Sequence, residues 1–446
     1  MKRFLLLVTL LLPACLRADE ADLKAQVDEL RAMVKQLQAR VDELEKHKEP
    51  AAAAETVAAP VQASLAVASP APTDFLHGTT VNLLFDGYYG YNFNDPIGRV
   101  NLLRAFDVSS NAFSLNQADL VLENAPDPAN GKRFGMRLDF QYGQATATLQ
   151  GNGVNEPRPG IYRNIFQAYG TYVVPIGKGL TVDFGKFASS LGFEGNYTKD
   201  QLNYSRSLWF DFLPFYHMGI RANYAFNDKF AVNYWMVNGT QQTEPFNGFK
   251  DQFIGFTIQP KKTITWNVNY YLGQEHPDVI FYPNGGAPAG LPTEQGVPFQ
   301  PLTNQPAGKL HIFDSYVTWQ TTPKLTVAAE ADYVIQRNYS YSAPAHTDGF
   351  TLYTQYQFTP KFAISGRTEY LSDRGGLFTG VTQAVKEATV TTKYNVASNL
   401  LLMGEWRRDF SNQPYFYTNT EGNLKNNQNT AMLGLVWWIG GKQGAW

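Results

Sequence analysis

Along residues 81–93, VNLLFDGYYGYNF, the side chains alternate. Val81, Leu83, Phe85, Gly87, Tyr89, Tyr91 and Phe93 form an apolar, aromatic set; Asn82, Leu84, Asp86, Tyr88, Gly90 and Asn92 form a mostly polar one. A period of two is strand periodicity. It returns in RFGMRLDFQY, where Phe134, Met136, Leu138 and Phe140 stand opposite Arg133, Arg137, Asp139 and Gln141. In PKLTVAAEADYVI, Leu325, Val327, Ala329 and Ala331 stand opposite Thr326, Glu330 and Asp332.

Followed to the C-terminus, the pattern predicts sixteen strands. They cover 81–93, 113–123, 133–143, 161–174, 180–188, 216–226, 229–239, 251–259, 262–273, 309–320, 324–336, 348–359, 361–372, 384–395, 398–410 and 428–439. Their lengths match the ~9–11 residues that a tilted strand needs to cross a bilayer. Short links such as FNDK, QPKK, TTPK and FTPK alternate with long ones at 93–112, 143–160, 188–215, 273–308 and 410–427. Tight turns at one end and long loops at the other are the asymmetry of an outer-membrane barrel. A secreted β-sandwich or propeller would bury the same apolar residues but would not need that asymmetry. The expected fold is therefore all-β, a sixteen-stranded antiparallel transmembrane barrel over 78–446. A sheet closed at this width has an interior too large for wall side chains to fill. The polar face should line a wet lumen and the apolar face should meet lipid.

The N-terminal segments have other patterns. MKRFLLLVTLLLPACLRA has basic residues, an apolar core and then small residues, so 1–18 reads as a signal peptide. Cleavage after Ala18 is expected; the alternative is lipidation of Cys15 in LPAC. In 19–48, Leu23, Leu30, Leu37 and Leu44 recur every seventh position, with Val27, Val34 and Val41 between them. That is a heptad with Val at a and Leu at d, a short coiled coil expected to self-associate. Residues 49–77 are an Ala- and Pro-rich linker. An even strand number returns both chain ends to one side, so the coiled coil is expected in the periplasm.

Composition narrows the function. Charged residues are 17%, below the ~25% typical of soluble proteins. A net charge of −2 gives no argument for nucleic-acid binding. The single cysteine excludes an intrachain disulfide. The six histidines lack metal-binding spacing, and no glycine loop of the phosphate-cradling type occurs, so no metal, cofactor or enzymatic activity is expected. Glu330 and Asp332 share a strand face, and His217 lies on a lumen face beside Tyr216 with Ser205 and Ser207 nearby in sequence, but a charged wall explains the first pair and nothing fixes the geometry of the second set.

FDGYYGYNFNDP (85–96), LLRAFDVSSNAFSLNQADLVLE (102–123) and NYSRSLWFDFLPFYHMGIRANYAF (203–226) resemble the OmpL-like β-barrel porin-2 family over roughly 80–440. The order of a coiled coil before the barrel also resembles phosphate-selective porins O and P, although no motif here secures phosphate selectivity. The resemblance implies an outer-membrane porin passing small hydrophilic solutes and ions, embedded in outer-membrane lipid and homotrimeric. It also implies that the third long loop, 188–215, narrows the barrel, with Glu194, Tyr204 and Arg206 at the constriction. By alternation the lumen wall carries the bases Arg133, Arg137, Arg163, Arg221, Arg367 and Arg407 and the acids Asp86, Asp119, Asp139, Asp183, Glu330, Asp332, Glu369, Glu405 and Asp409. Acids outnumber bases on the inward face, so a weak cation preference is expected. Arg137/Asp139, Arg367/Glu369 and Glu405/Arg407 stand two apart and could instead pair with each other. Two further readings remain open: a carbohydrate or anion porin, with Tyr169, Tyr316 and Tyr353 as a stacking track, and an envelope anchor holding peptidoglycan through the coiled coil.

Overall fold

The computed structural model describes residues 78–440, apart from 151–155, 157, 283, 284, 295, 303 and 305, together with Lys35, which is helical and exposed. The expected signal peptide, coiled coil and linker otherwise lie outside the described residues, as do Leu23, Val27, Leu30, Val34, Leu37, Val41 and Leu44.

Alternation becomes sheet throughout. The sixteen barrel strands are β1 (Thr80–Asn92), β2 (Ala112–Asn124), β3 (Phe134–Tyr142), β4 (Ile165–Val174), β5 (Leu180–Ala188), β6 (Tyr216–Asn227), β7 (Phe230–Val237), β8 (Asp251–Lys261), β9 (Ile264–Gly273), β10 (Leu310–Thr322), β11 (Leu325–Gln336), β12 (Ala345–Thr359), β13 (Phe362–Arg374), β14 (Gln383–Ala397), β15 (Leu400–Ser411) and β16 (Asn427–Gly440). Each pairs antiparallel with the next, and β16 returns to β1 with Leu83 opposite Ile439 and Tyr89 opposite Leu433. Closure leaves no unpaired edge, the condition for a sheet in lipid. Among the described residues, no helix is long and apolar enough to cross a membrane.

Two local departures have physical causes. The strand expected from residue 161 begins only at Ile165, because Pro159–Tyr162 forms a helical turn with proline at its start. Arg163 follows that turn and is not a wall residue, contrary to the alternation. The long link after β9 is not plain loop either: Val279–Phe281, Thr293–Glu294 and Val297–Pro301 form a small sheet of their own.

The two faces of the wall have opposite chemistry. In β1, Val81, Leu83 and Phe85 point outward and are exposed, while Asn82, Asp86 and Asn92 point inward and are buried. Aromatic clusters mark the outer rim at both ends. Phe226, Phe230 and Phe256 gather near the short turns, as do Tyr356, Phe358 and Phe362. Tyr270, Phe313 and Tyr333 gather nearer the long loops. Such girdles fit the two membrane interfaces. Leu433 lies between them on β16 and is 59% exposed. Leu433→Arg should therefore cost about 2–4 kcal/mol of barrel stability in lipid vesicles. Urea unfolding measures it, and a cost near zero would mean that this face does not meet hydrocarbon.

The lumen is not simply wet. Near the long-loop end, Phe187, Trp235, Phe253, Tyr271, Ile312 and Leu371 point inward from the wall. They pack against Leu191, Leu208, Trp209 and Leu213 of the third loop and Leu103 of the first. The expectation that the interior holds water throughout is corrected by this core. Wall side chains alone do not fill a barrel of this width; the inserted loops do.

Candidate functional site

The third loop, 189–215, leaves β5 and returns to β6. Its base is closed by Ser189 N donating to the Phe215 carbonyl at 3.0 Å. Inside it lies a five-residue helix, Leu208–Phe212, capped by Ser207, whose hydroxyl accepts from Phe210 N at 3.0 Å. The cap turns the chain so that the amides before the helix face the wall.

Inward-facing wall charges grip the main chain of this loop. Glu405 of β15 accepts from Tyr204 N at 2.7 Å and Ser205 N at 3.0 Å. Glu369 of β13 accepts from Leu208 N at 3.0 Å. Arg367 of β13 donates to the Ser205 carbonyl at 2.7 Å and the Arg206 carbonyl at 3.1 Å. Arg407 of β15 donates to the Arg206 carbonyl at 2.5 Å. Amides thus meet carboxylates and carbonyls meet guanidiniums, the stronger, charge-assisted class of hydrogen bond.

The three residues expected at the constriction come together here, but in another role. Glu194 accepts from Ser207 N at 2.5 Å and pairs with Arg367 at 2.9 Å. Tyr204 donates its hydroxyl to Asp86 of β1 at 2.6 Å. Arg206 donates to the carbonyls of Gly195, Tyr204 and Asn196, and its guanidinium lies 4.2 Å from the Phe106 ring centre. Their exposures are 7%, 0% and 1%. Side chains so enclosed cannot be the surface that a solute meets; they hold the loop in shape.

The wall charges form a buried network rather than open rings. Arg367 also reaches Glu387 at 3.2 Å and Glu369 at 3.6 Å. Arg407 pairs with Asp409 at 2.9 Å and Glu387 at 3.8 Å, not with Glu405 two positions away. Arg104 of the first loop joins the network through Asp409 at 2.7 Å and Asp107 at 3.0 Å. Across the barrel, Arg137 meets the Tyr197 hydroxyl at 2.8 Å and Asp139 at 3.5 Å. Arg221 is half-buried, bonded to Asp183 at 2.8 Å and set 4.5 Å from the Phe187 ring centre. Glu330 and Asp332 are buried beside Asp314. Of the pairs two apart, Arg137/Asp139 and Arg367/Glu369 meet. Sequence reasoning passed over Glu387 and Asp314, although both stand at inward positions of their strands. Arg104 left no periodic signal, because it lies in a loop.

Polar wall survives with partial exposure near the short-turn end. Thr171, Asn223, Asn233, Thr257, Asn267 and Gln355 all point inward there and are half-buried. No catalytic set accompanies them. His217 bonds the Gly239 carbonyl at 3.0 Å and the Ser189 hydroxyl at 3.2 Å, not Ser205 or Ser207.

The first loop carries a titratable latch. Burial pushes Asp107 up to about 6 from 3.8, against the opposing pull of Arg104 and Arg407 and with a further push from Glu405. The seated loop therefore holds this proton more tightly than a loop in water. Seating strengthens as pH falls from about 6 to about 4 and weakens as pH rises through that window. Protease cleavage within 93–111 should be slower at pH 5 than at pH 8. An equal rate at both would show that Asp107 does not govern seating.

A closed antiparallel sheet, greasy outside and charged inside, with one loop strapped across its interior, defines an outer-membrane β-barrel of the porin class. The chain belongs to the family described as "Putative beta-barrel porin-2, OmpL-like", whose model matches residues 78–437. It is an outer-membrane channel protein. Solved structures agree on the fold. The anion-selective porin from Comamonas acidovorans is 8% identical, with a TM-score of 0.52 over 81% of this chain and 99% of that one. The outer-membrane channel DcaP of Acinetobacter baumannii is 10% identical, with a TM-score of 0.50 over 81% and 98%. OprB of Pseudomonas putida, at high pH, is 13% identical, with a TM-score of 0.50 over 83% and 96%. A comparison with curated protein sequences found no match.

Proposed function

We propose that this porin passes small hydrophilic solutes and ions by passive diffusion past the strapped loop and along the polar wall near the short-turn end. The observation that carries the reading is the half-exposed inward set on β4, β6, β7, β8, β9 and β12, against the wholly enclosed charges where the loop is gripped. The third loop sets size exclusion by the bulk that it holds in the lumen, while Glu194, Tyr204 and Arg206 fix its position. Because most inward guanidiniums are matched by carboxylates, selectivity is weak. The small excess of inward acids tilts it weakly toward cations.

The remaining parts follow from the sequence. Residues 1–18 direct export, and the short turns face the periplasm. The coiled coil of 19–48 stands there on its 49–77 linker, and the barrel assembles as a homotrimer that the coiled coil reinforces. Purified chain in a planar bilayer under a salt gradient tests these points. Discrete steps in groups of three and a small cation-favouring reversal potential are expected. A silent bilayer from folded, inserted protein would favour the envelope-anchor reading instead. Deleting 19–77 should leave the conductance of each step unchanged.

A further inference from the structure

Three carboxylates meet on the inner wall where β9, β10 and β11 run side by side. Asp314 of β10 lies directly opposite Asp332 of β11, and Glu330 stands two positions before Asp332 on the same face of β11. Like charges directly opposed across a strand pair are destabilising, and this pair is also withdrawn from water: the three residues are 2%, 2% and 4% exposed in the order Asp314, Glu330, Asp332.

The other inward acids of this wall solve that problem with donors. Glu369, Glu405 and Asp409 each take amide or guanidinium hydrogens. Glu330 takes Phe193 N at 2.9 Å and the Tyr353 hydroxyl at 2.8 Å. Asp314 takes Asn269, at 2.6 Å on one oxygen, and has the Gly192 amide beside it. The two aspartates otherwise face each other: the second oxygen of Asp314 and both oxygens of Asp332 lack a side-chain donor that would satisfy them as carboxylates. Among the described residues, no lysine, arginine or histidine pairs with any of the three.

One oxygen from each residue lies within 4.8 Å of the other two. Oxygens that share a calcium ion sit about 2.3–2.6 Å from it, hence at most about 5 Å apart. We propose that Asp314, Glu330 and Asp332 form a divalent-cation site of the calcium class. Carboxylate oxygens suit a hard cation, and a set of flexible carboxylates suits calcium better than magnesium, which demands near-ideal octahedral geometry and keeps its waters.

The site also bears on the third loop. Phe193 N reaches it through Glu330, and a Cβ on the neighbouring Gly192 would come within 3.2 Å of that carboxylate, at a φ of +84° that favours glycine in any case. A cation here neutralises the repulsion on β10 and β11 and fastens the loop to a second stretch of wall besides the grip of β13 and β15.

The test uses the full mature chain refolded in detergent, free of lipopolysaccharide, whose phosphates bind calcium themselves. Calcium titration by calorimetry should give one site per chain. Terbium should bind there too and luminesce by energy transfer from Tyr353. Asp332→Asn and Asp314→Asn should each weaken calcium binding by more than about tenfold, while heat-modifiable migration reports that the barrel is folded. Both substitutions relieve repulsion, so neither threatens folding. No calcium site in the parent chain, or undiminished binding in either folded variant, would overturn the proposal and leave the carboxyl groups sharing protons.

Discussion

Replacing Arg367 with methionine will raise single-channel conductance severalfold and make each open step noisy. Methionine keeps the length and apolar stem of the side chain, so the lost element is the guanidinium. That group pairs with Glu194, Glu387 and Glu369 and caps the carbonyls of Ser205 and Arg206, with none of its side chain exposed. Breaking one partner out of a buried ionic set costs about 3–5 kcal/mol, because the remaining charges stay buried without compensation. The barrel strands carry their own hydrogen bonds and should keep their register. The loop should bear the cost and leave the wall, widening the passage. Bilayer recording, with proteolysis at 189–215 as a second readout, measures it. Unchanged conductance together with an uncut loop would mean that Arg367 is not the fastening.

Trp209→Ala is expected to release the same loop by a different route. Trp209 is wholly buried inside the barrel, 5.8 Å from Phe378 between ring centres and within the apolar core that fills the long-loop end. Truncating a buried tryptophan costs about 3–5 kcal/mol through lost burial and the cavity left behind. The loop should become cleavable within 189–215 while heat-modifiable migration persists. Loss of the folded barrel itself would show that loop and wall form one cooperative unit. An uncut loop would show that the grip on its main chain suffices without the core.

The sequence carried the wall clearly and the interior hardly at all. A period-two alternation arises because one face must meet hydrocarbon and the other must not, so each of the sixteen strands left a trace. The trace fails where a proline starts a helical turn, as at Pro159, and the strand then begins four residues late. It is silent about loops that enter the lumen, since a loop has no period. Thus Leu191, Leu208, Trp209 and Leu213 gave no sign that they would complete an apolar core with inward side chains from β5 to β13. Inward charges such as Arg367, Glu369 and Arg407 were legible as positions, but their partners were not, because each partner lies on another strand or in the loop. Glu194, Tyr204 and Arg206 were legible as polar residues in the matching loop. Their burial, which turns them from lining into fastening, follows only from the way the loop folds on itself.

The grip on the third loop is made to peptide groups: Glu405 and Glu369 read amides, and Arg367 and Arg407 read carbonyls. Every residue has these groups, apart from the missing amide of proline. Side chains along 195–208 that take no part in the internal ties can therefore be exchanged without releasing the strap, whereas the few charges on the wall cannot. Fastening and filtering are in this way written in separate alphabets. A lineage that met a new nutrient could revise the filter one residue at a time while the same four wall charges went on holding it.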